Sequence, residues 1–230
     1  MIMWRIATVV LHYNTPQFTI PLAQALREQT YGHQQIYIVD HHSTKSCNEI
    51  THPLERNMHF TRGMFEAWKI ARSDANYDAY WLLNNDLMIP PGTLTSLVRV
   101  LFSDDTFAQI APAHNSPHDF MTHPGSKAQA APYLEATATL IKGSTFERIG
   151  FWDLRLTRGW GIEADYGFRV RQAGLLNILT NRARIVHYQH GTLGGPFFAK
   201  FCAYANAEMN RIMRRKYGKD WKRLVEWAVR

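Results

Sequence analysis

Two short apolar runs in this sequence stop abruptly at aspartates, and this feature constrains the fold more than any other. The run at residues 36–39 is followed by Asp40, and the run at residues 80–83 is followed by two asparagines and Asp86. Short apolar runs rich in β-branched and aromatic residues are typical of buried strands. Segments with helical spacing separate these runs, so the sequence predicts strands and helices in alternation.

Strands that alternate with helices predict an α/β fold with a Rossmann-like, mostly parallel central sheet flanked by helices. Ligands of such sheets bind outside the carboxyl ends of the strands. We therefore expect Asp40 and Asp86 to face one crevice. The 230 residues suit one domain, residues 1–195, with a helical C-terminal extension, residues 196–230, packed on it.

Two local predictions concern the second half of the chain. A stretch rich in histidine, proline and glycine, residues 113–132, predicts a loop. Further on, Ser144 and Glu147 match a capping box at the start of a short helix.

Composition limits the class of protein and its compartment. Apolar residues make up 46% of the chain, which provides for a full core and argues against disorder. The chain has no run of about 18 apolar residues, and its start lacks the layout of a signal peptide. Cys47 and Cys202 are isolated, which fits a reducing compartment. We therefore expect a cytoplasmic protein.

The net charge of +7 bounds the choice of partners. A basic surface can bind nucleic acid, an anionic membrane or a phosphorylated substrate. The sequence contains no helix-turn-helix, zinc or RNP signature, so we expect no nucleic-acid partner. No G-x-G-x-x-G follows the first predicted strand, which disfavours a dehydrogenase.

The basic residues concentrate between residues 211 and 230, after aromatic residues that recur at near-helical spacing from Phe197 to Tyr204. Two interpretations stay open. Such a helix can lie on an anionic leaflet, which implies peripheral contact with the inner face of the plasma membrane. Alternatively, its apolar residues pack against the domain.

Asp86 and His187 are candidate metal ligands. A carboxylate flanked by carboxamides at a strand end can hold Mg²⁺ or Mn²⁺ when a diphosphate supplies further oxygens. The alternative for Asp86 is an Asn/Asp turn that caps the next helix. His187 ends the last predicted strand and can either ligate the same ion or play a structural part.

A second acidic constellation lies in the segment "GWGIEADYGFRVRQAG". Glu163 and Asp165 are two residues apart, so on a helix they do not share a face. One of them can act as a general base in the crevice. The other can cap the helix or pair with Arg169, four residues beyond Asp165.

The order of these pieces resembles the family 2 glycosyltransferases of the GT-A fold, including bacterial rhamnosyltransferase-like members of polysaccharide biosynthesis. The resemblance spans residues 6 to about 195 and rests on "TVVLHYNTP", "IYIVDHHSTKS", "NMHFTRGMFEAWKIA", "WLLNNDLMIPPGTL", "TATLIKGSTFERIGFWDLRL", "GWGIEADYGFRVRQAG" and "VHYQHG". The chain departs from the family pattern at Asn84, where a full DXD motif begins with Asp, and at His59 and Phe65.

The resemblance implies a metal-dependent transfer of a sugar from a nucleotide-diphosphate donor to a hydroxyl acceptor, usually with inversion at the anomeric carbon. The acceptor would be a glycan or a lipid-linked glycan of cell-surface polysaccharide or glycolipid biosynthesis. It implies donor contacts from the side chains of Asn14, Asp40, Arg62, Asn85 and Asp86.

The same resemblance implies that Asp86, with His187, holds Mn²⁺ or Mg²⁺ on the diphosphate. It places Glu163 at the position of the catalytic base, with Asp165 as the second candidate, and Trp160 in position to stack on an acceptor sugar. The alternative function is a catalytically silent nucleotide-sugar-binding module of the same fold.

Overall fold

The structure is a computed structural model that describes residues 3–117, 119–122, 125, 127–188 and 198–225. The end of the "VHYQHG" segment and Phe197 lie outside the described residues. In chain order the elements are β1 (Ile6–His12), α1 (Pro16–Arg27), β2 (Gln34–Asp40), β3 (His52–Pro53), α2 (His59–Asp74), β4 (Ala79–Asn84), β5 (Leu87–Met88), α3 (Thr93–Leu101), β6 (Phe107–His114), α4 (Asp119–Thr122), β7 (Ala128–Ala131), β8 (Ala138–Lys142), α5 (Gly143–Ile149), α6 (Ile162–Gln172), β9 (Leu176–His187), α7 (Phe198–Tyr217) and α8 (Trp221–Val225).

The strands form a mixed sheet in the order β3-β2-β1-β4-β8-β6-β9-β5, and β7 pairs with β9. The half formed by β3, β2, β1 and β4 is parallel, as the sequence predicts. β8 runs antiparallel to both β4 and β6, while β6 and β9 are parallel to each other. The carboxyl ends of β1, β2, β4, β6 and β9 therefore lie at one edge of the sheet, which we call the carboxyl edge.

Strand β1 sets the register of the parallel half. All seven of its residues are buried, and it is hydrogen-bonded on both sides, which explains its continuous apolar sequence. His12 lies opposite Asp40 on one side, and Leu11 lies opposite Asn84 on the other. The runs before Asp40 and Asp86 therefore end at the same edge of the sheet.

Helices cover both faces of the sheet, and alternate residues of β1 supply the two apolar cores. Ala7 and Val9 belong to a core formed with α2 and α6. Ile6 and Val10 belong to the opposite core, formed with α1 and α3. This two-sided packing holds each strand end in a fixed position.

Both local predictions for the second half of the chain are wrong. The stretch 113–132 contains the short helix α4 and strand β7, and β7 pairs antiparallel with β9. Helix α5 begins at Gly143 without a side-chain cap, so Ser144 and Glu147 do not form a capping box. The start is fixed instead by the backbone, because Gly143 N donates to Asp78 O at 2.7 Å.

The described part of the C-terminal extension packs on the sheet domain. Ile212, Met213 and Trp221 are buried in the core that contains α2 and α6. Tyr204, in contrast, is 54% exposed. Among the described helices, none combines the length and the apolar character needed to cross a membrane.

Candidate active site

Asp86 and His187 meet at the carboxyl edge. Strand β5 pairs antiparallel with β9 and places Leu87 opposite His187. Tyr188 N donates to Asp86 O at 2.9 Å, which ties the two backbones together beside this pair. As a result, His187 Nε2 lies 3.2 Å from Asp86 Oδ1. Two candidate ligands from distant parts of the sequence are thus adjacent.

A polar network that the sequence did not reveal extends from His187. Asn115 holds the His187 backbone, since its Nδ2 donates to His187 O at 2.8 Å and its Oδ1 accepts from His187 N at 2.7 Å. The His114 ring lies edge-on to the His187 ring, with centroids 6.2 Å apart. His114 Nε2 lies 3.5 Å from Glu135 Oε2, and the Ser116 hydroxyl donates to Glu135 Oε1. Strand β6 ends at His114, and Asn115 follows it. An apolar run that stops at polar residues is the same pattern that identified Asp86 in the sequence.

The donor atoms at this edge fit a divalent cation shared with a phosphate ligand. No described group of three or more His, Cys, Asp or Glu side chains could hold a metal ion on its own. Mg²⁺ and Mn²⁺ need only one or two protein ligands when substrate phosphates supply the others. Asp86 and His187 meet that requirement. Asn84 Oδ1, at the same strand end, is buried with no hydrogen-bond partner among the described residues.

Asn14 and Asp40 organise the loop that follows β2. Asn14 adopts a left-handed conformation with φ of 56°, and its Oδ1 accepts bonds from Thr44 N at 2.7 Å and Lys45 N at 2.9 Å. Asp40 is buried, and each of its carboxylate oxygens lies 3.3 Å from Ser43 N. A carboxylate has about four acceptor positions, so Asp40 retains capacity for a ligand.

Asn85 and Arg62 have protein partners in this structure. Asn85 is buried, and its Nδ2 donates to Thr15 Oγ1 at 2.7 Å and to Thr19 Oγ1 at 2.9 Å, on the side of α1. Arg62 is exposed on α2, and its Nε donates to Leu154 O at 3.3 Å. These bonds position the strand end and the α2 terminus. The donor contacts of both side chains stay predictions.

Glu163 lies in the first turn of α6, which begins after Gly161 in a left-handed conformation with φ of 85°. Its side chain is only partly exposed. Burial raises the pKa of Glu163 to about 7, and the nearby Glu135 carboxylate adds to this rise to a smaller extent. Backbone hydrogen bonds lower the pKa but do not offset the effect of burial. A carboxylate with a pKa near neutrality is suited to act as a general base.

Asp165 has a different environment from Glu163. It is fully buried, and it pairs with Arg169 Nε at 2.9 Å, as the spacing predicts. Lys216 Nζ and Tyr217 Oη, both from α7, also donate to its carboxylate, the latter at 2.6 Å. These contacts leave Asp165 no surface for an acceptor, so of the two acids we retain Glu163 as the base.

We expect Asp165→Asn to lower the free energy of unfolding by about 3–5 kcal/mol, because breaking a buried ion pair leaves Arg169 and Lys216 uncompensated. Urea denaturation of the variant measures this loss. The matched control is Asp105→Asn, the same change at an exposed aspartate. An unfolding midpoint equal to that of the control would contradict the structural role of Asp165.

Trp160 is partly exposed in the turn before α6, three residues ahead of Glu163.

A separate cleft of about 580 Å³ lies at the opposite edge of the sheet, lined among others by Tyr80 and Lys142. Lys142 ends β8 next to the start of β4, which is the edge away from the acids. Glu147 is exposed and lines this distant cleft.

Comparison with known proteins places the chain among enzymes of one type. A sequence profile described as "Glycosyl transferase family 2" matches residues 8–158. No curated protein sequence matches the chain. The structure is similar to that of GalNAc-T7 with UDP, GalNAc and Mn²⁺, with a TM-score of 0.71, 12% identity, and coverage of 96% of this chain and 50% of that one.

Two further solved structures are similar. The mannosyltransferase PcManGT from Pyrobaculum calidifontis, in complex with GDP-Man and Mn²⁺, has a TM-score of 0.68 and 17% identity, covering 92% of this chain and 64% of that one. S. aureus TarS has a TM-score of 0.58 and 12% identity, covering 90% of this chain and 40% of that one. The chain therefore spans less than two thirds of each neighbour, and at these identities the likeness concerns the fold.

Proposed function

The chain belongs to glycosyl transferase family 2 and has the GT-A fold, and from this premise we propose that it moves a sugar from a nucleoside-diphosphate sugar to a hydroxyl acceptor. The observation that carries the proposal is the distribution of charge at the carboxyl edge. Asp86 and His187 lie side by side, while Glu163, with a pKa raised to about 7, lies near Glu135 of the same network.

Asp86 and His187 would hold a divalent cation together with the donor diphosphate, and Asp40 would bind the ribose or the base. When bound, the ion neutralises the charge that builds up on the leaving diphosphate. A ligand pair of one carboxylate and one imidazole suits Mn²⁺ better than Mg²⁺, which prefers oxygen alone. The presence of Mn²⁺ in the GalNAc-T7 and PcManGT structures agrees with this choice.

Glu163 accepts the proton of the acceptor hydroxyl as the hydroxyl oxygen bonds to the anomeric carbon. The bond from that carbon to the diphosphate oxygen breaks at the same time, and the proton leaves Glu163 for water afterwards. Attack from the side opposite the diphosphate inverts the anomeric centre. Trp160, three residues before the base, stacks on the acceptor sugar.

A thermal-shift screen tests donor class and metal need together. We expect a UDP-, GDP- or dTDP-linked hexose to raise the melting temperature only when Mn²⁺ is present. A ligand at 100 times its Kd adds about 2.7 kcal/mol, or roughly 5–10 °C for a chain of this size. If no such donor shifts the melting temperature with Mn²⁺, the proposal is wrong. A donor that binds but never releases its nucleoside diphosphate indicates the silent binding module.

We further propose that the acceptor is a glycan or lipid-linked glycan used at the cytoplasmic face of a membrane, with the basic side of α7 and α8 against anionic lipid. Ile212, Met213 and Trp221 are buried and cannot reach a membrane. The exposed cations of this region therefore make the membrane contact. They include Arg211, Arg214, Arg215, Lys219, Lys222 and Arg223. Each contributes about 1 kcal/mol near an anionic surface.

Replacing four of these cations by glutamine is expected to weaken binding to phosphatidylglycerol vesicles by two to three orders of magnitude, since about 4 kcal/mol of attraction is lost. Flotation measures the bound fraction. The quadruple variant changes Arg214, Arg215, Lys219 and Lys222. The control changes the exposed cations Lys69, Arg72, Arg99 and Arg182. Equal flotation of both variants would end the membrane proposal.

A further inference from the structure

Helix α7 contacts the segment that carries Glu163 on both sides of that residue. Before it, Glu208 binds the turn at Thr157, and Met209 packs so tightly on Gly161 that an added Cβ would lie 2.7 Å from Met209 Cγ. After it, Lys216 and Tyr217 bind the Asp165 carboxylate. The extension therefore braces the segment that presents the base.

Glu208 makes the most specific of these contacts. Its side chain is 12% exposed. Its carboxylate accepts a bond from Thr157 Oγ1 at 2.7 Å, from Arg158 N at 3.0 Å and from Arg158 Nη1 at 2.9 Å. On the other side of the same turn, Thr61 N donates to Thr157 O at 3.1 Å. The turn is thus held between α2 and α7.

The turn needs such support because of its own sequence. Trp160 lies between Gly159 and Gly161, whose φ angles are 90° and 85°. Glycine reaches this left-handed region without strain but loses the most conformational entropy when it is fixed there. A Gly-Trp-Gly turn therefore has little intrinsic preference for one conformation, and contacts from outside the turn must select it.

We propose that Glu208 is a positioning residue for sugar transfer: it holds the turn at residues 157–161 so that Trp160 and Glu163 face the acceptor. The inference rests on the proposed function, because it takes Glu163 as the base. A displacement of about 1 Å at a reacting group can cost on the order of 100-fold in rate. Glu208 binds no donor in this account, so donor affinity is independent of it.

Glu208→Gln tests the proposal, because its amide cannot accept bonds from both Arg158 N and Arg158 Nη1. We expect amide exchange in residues 157–161 to speed up at least tenfold in the protein alone. We expect the turnover number for release of nucleoside diphosphate to fall about 30- to 100-fold. The dissociation constant of the same donor, chosen by thermal shift with Mn²⁺, should stay within twofold. Glu147→Gln is the matched charge control.

A second variant separates positioning from a general loss of stability. Arg158→Ala removes the ion pair with Glu208 but keeps the bonds from Thr157 Oγ1 and Arg158 N, so turnover should fall less than threefold. Equal losses in Glu208→Gln and Arg158→Ala, or unchanged turnover in Glu208→Gln, would overturn the positioning role. Full activity of Glu163→Gln would instead remove Glu163 as the base, and failure of the original protein to release nucleoside diphosphate from any bound donor would overturn the proposed function, whatever Glu208→Gln does.

Discussion

Glu163→Gln should lower the rate of nucleoside diphosphate release by about 10²- to 10⁴-fold, which is the range that a general base contributes. Glutamine has nearly the same shape as glutamate, so the variant keeps the packing of the first turn of α6. It cannot accept the acceptor proton. Donor binding with Mn²⁺ should stay within twofold of the original protein, because Asp86, His187 and Asp40 are untouched.

The measurement is a single-turnover assay with saturating donor, run beside Glu147→Gln. The control makes the same chemical change at an exposed residue of the distant cleft and should keep full activity. If Glu163→Gln retained more than a tenth of the original rate, Glu163 would not be the catalytic base.

The pH dependence of turnover follows from the same carboxylate. Glu163 acts as a base only when deprotonated, and burial raises its pKa to about 7. Below that value kcat/KM should fall about tenfold per pH unit. A profile that stayed flat down to the ordinary glutamate pKa of 4.5 would contradict this assignment.

The free energy of unfolding should change with pH in the opposite direction to turnover. Since the pKa of Glu163 is raised from 4.5 to about 7 on folding, the folded chain binds more protons than the unfolded chain between these values. The contribution of Glu163 to the free energy of unfolding therefore falls as pH rises through that window. Glu163→Gln removes this cost, so the variant should melt above the original protein at pH 8 and lose that advantage at pH 4.

Asp86→Asn should abolish the Mn²⁺-dependent part of donor binding and lower kcat/KM by about 10³-fold or more, because a metal ion contributes several kcal/mol of charge stabilisation. Asparagine keeps the size of the side chain but removes the negative charge beside His187. The remaining imidazole and amide carry no negative charge, so they bind a divalent cation more weakly than the original pair.

Paramagnetic resonance of Mn²⁺ measures this loss without any turnover, since the free-ion signal reports unbound metal in the presence of UDP or GDP. Asp40→Asn is the contrasting variant. It should weaken donor binding about tenfold in the presence of Mn²⁺, through a lost hydrogen bond to a charged group, and keep the dependence on Mn²⁺. If Asp86→Asn bound Mn²⁺ as the original protein does, the metal site would lie elsewhere.

The sequence was sufficient to predict that the strands before Asp40 and Asp86 end at one edge of the sheet. Asp40 and Asp86 end buried runs, and parallel strands bring such ends together. The family resemblance favoured Glu163 over Asp165 as the base, but the physical reason for that choice lies outside the local sequence. That choice depends on Lys216 and Tyr217, 51 and 52 residues further along the chain, which bind the carboxylate of Asp165.

Contacts between distant segments also explain what the sequence missed. Glu135 lies in the link between β7 and β8, and only the folded chain brings it to His114. Lys216 belongs to the basic C-terminal cluster by sequence, yet it pairs with Asp165 and Asp153. Local patterns report periodicity and charge, whereas these roles arise from tertiary packing.

The most direct test of the account is a crystal structure of the protein with Mn²⁺ and the nucleoside-diphosphate sugar that gives the largest thermal shift. We expect the ion against Asp86 and His187, the diphosphate on the ion, and the Glu163 carboxylate on the other side of the anomeric carbon. A donor seated in the distant cleft by Tyr80 and Lys142, or an ion bound without Asp86, would contradict it.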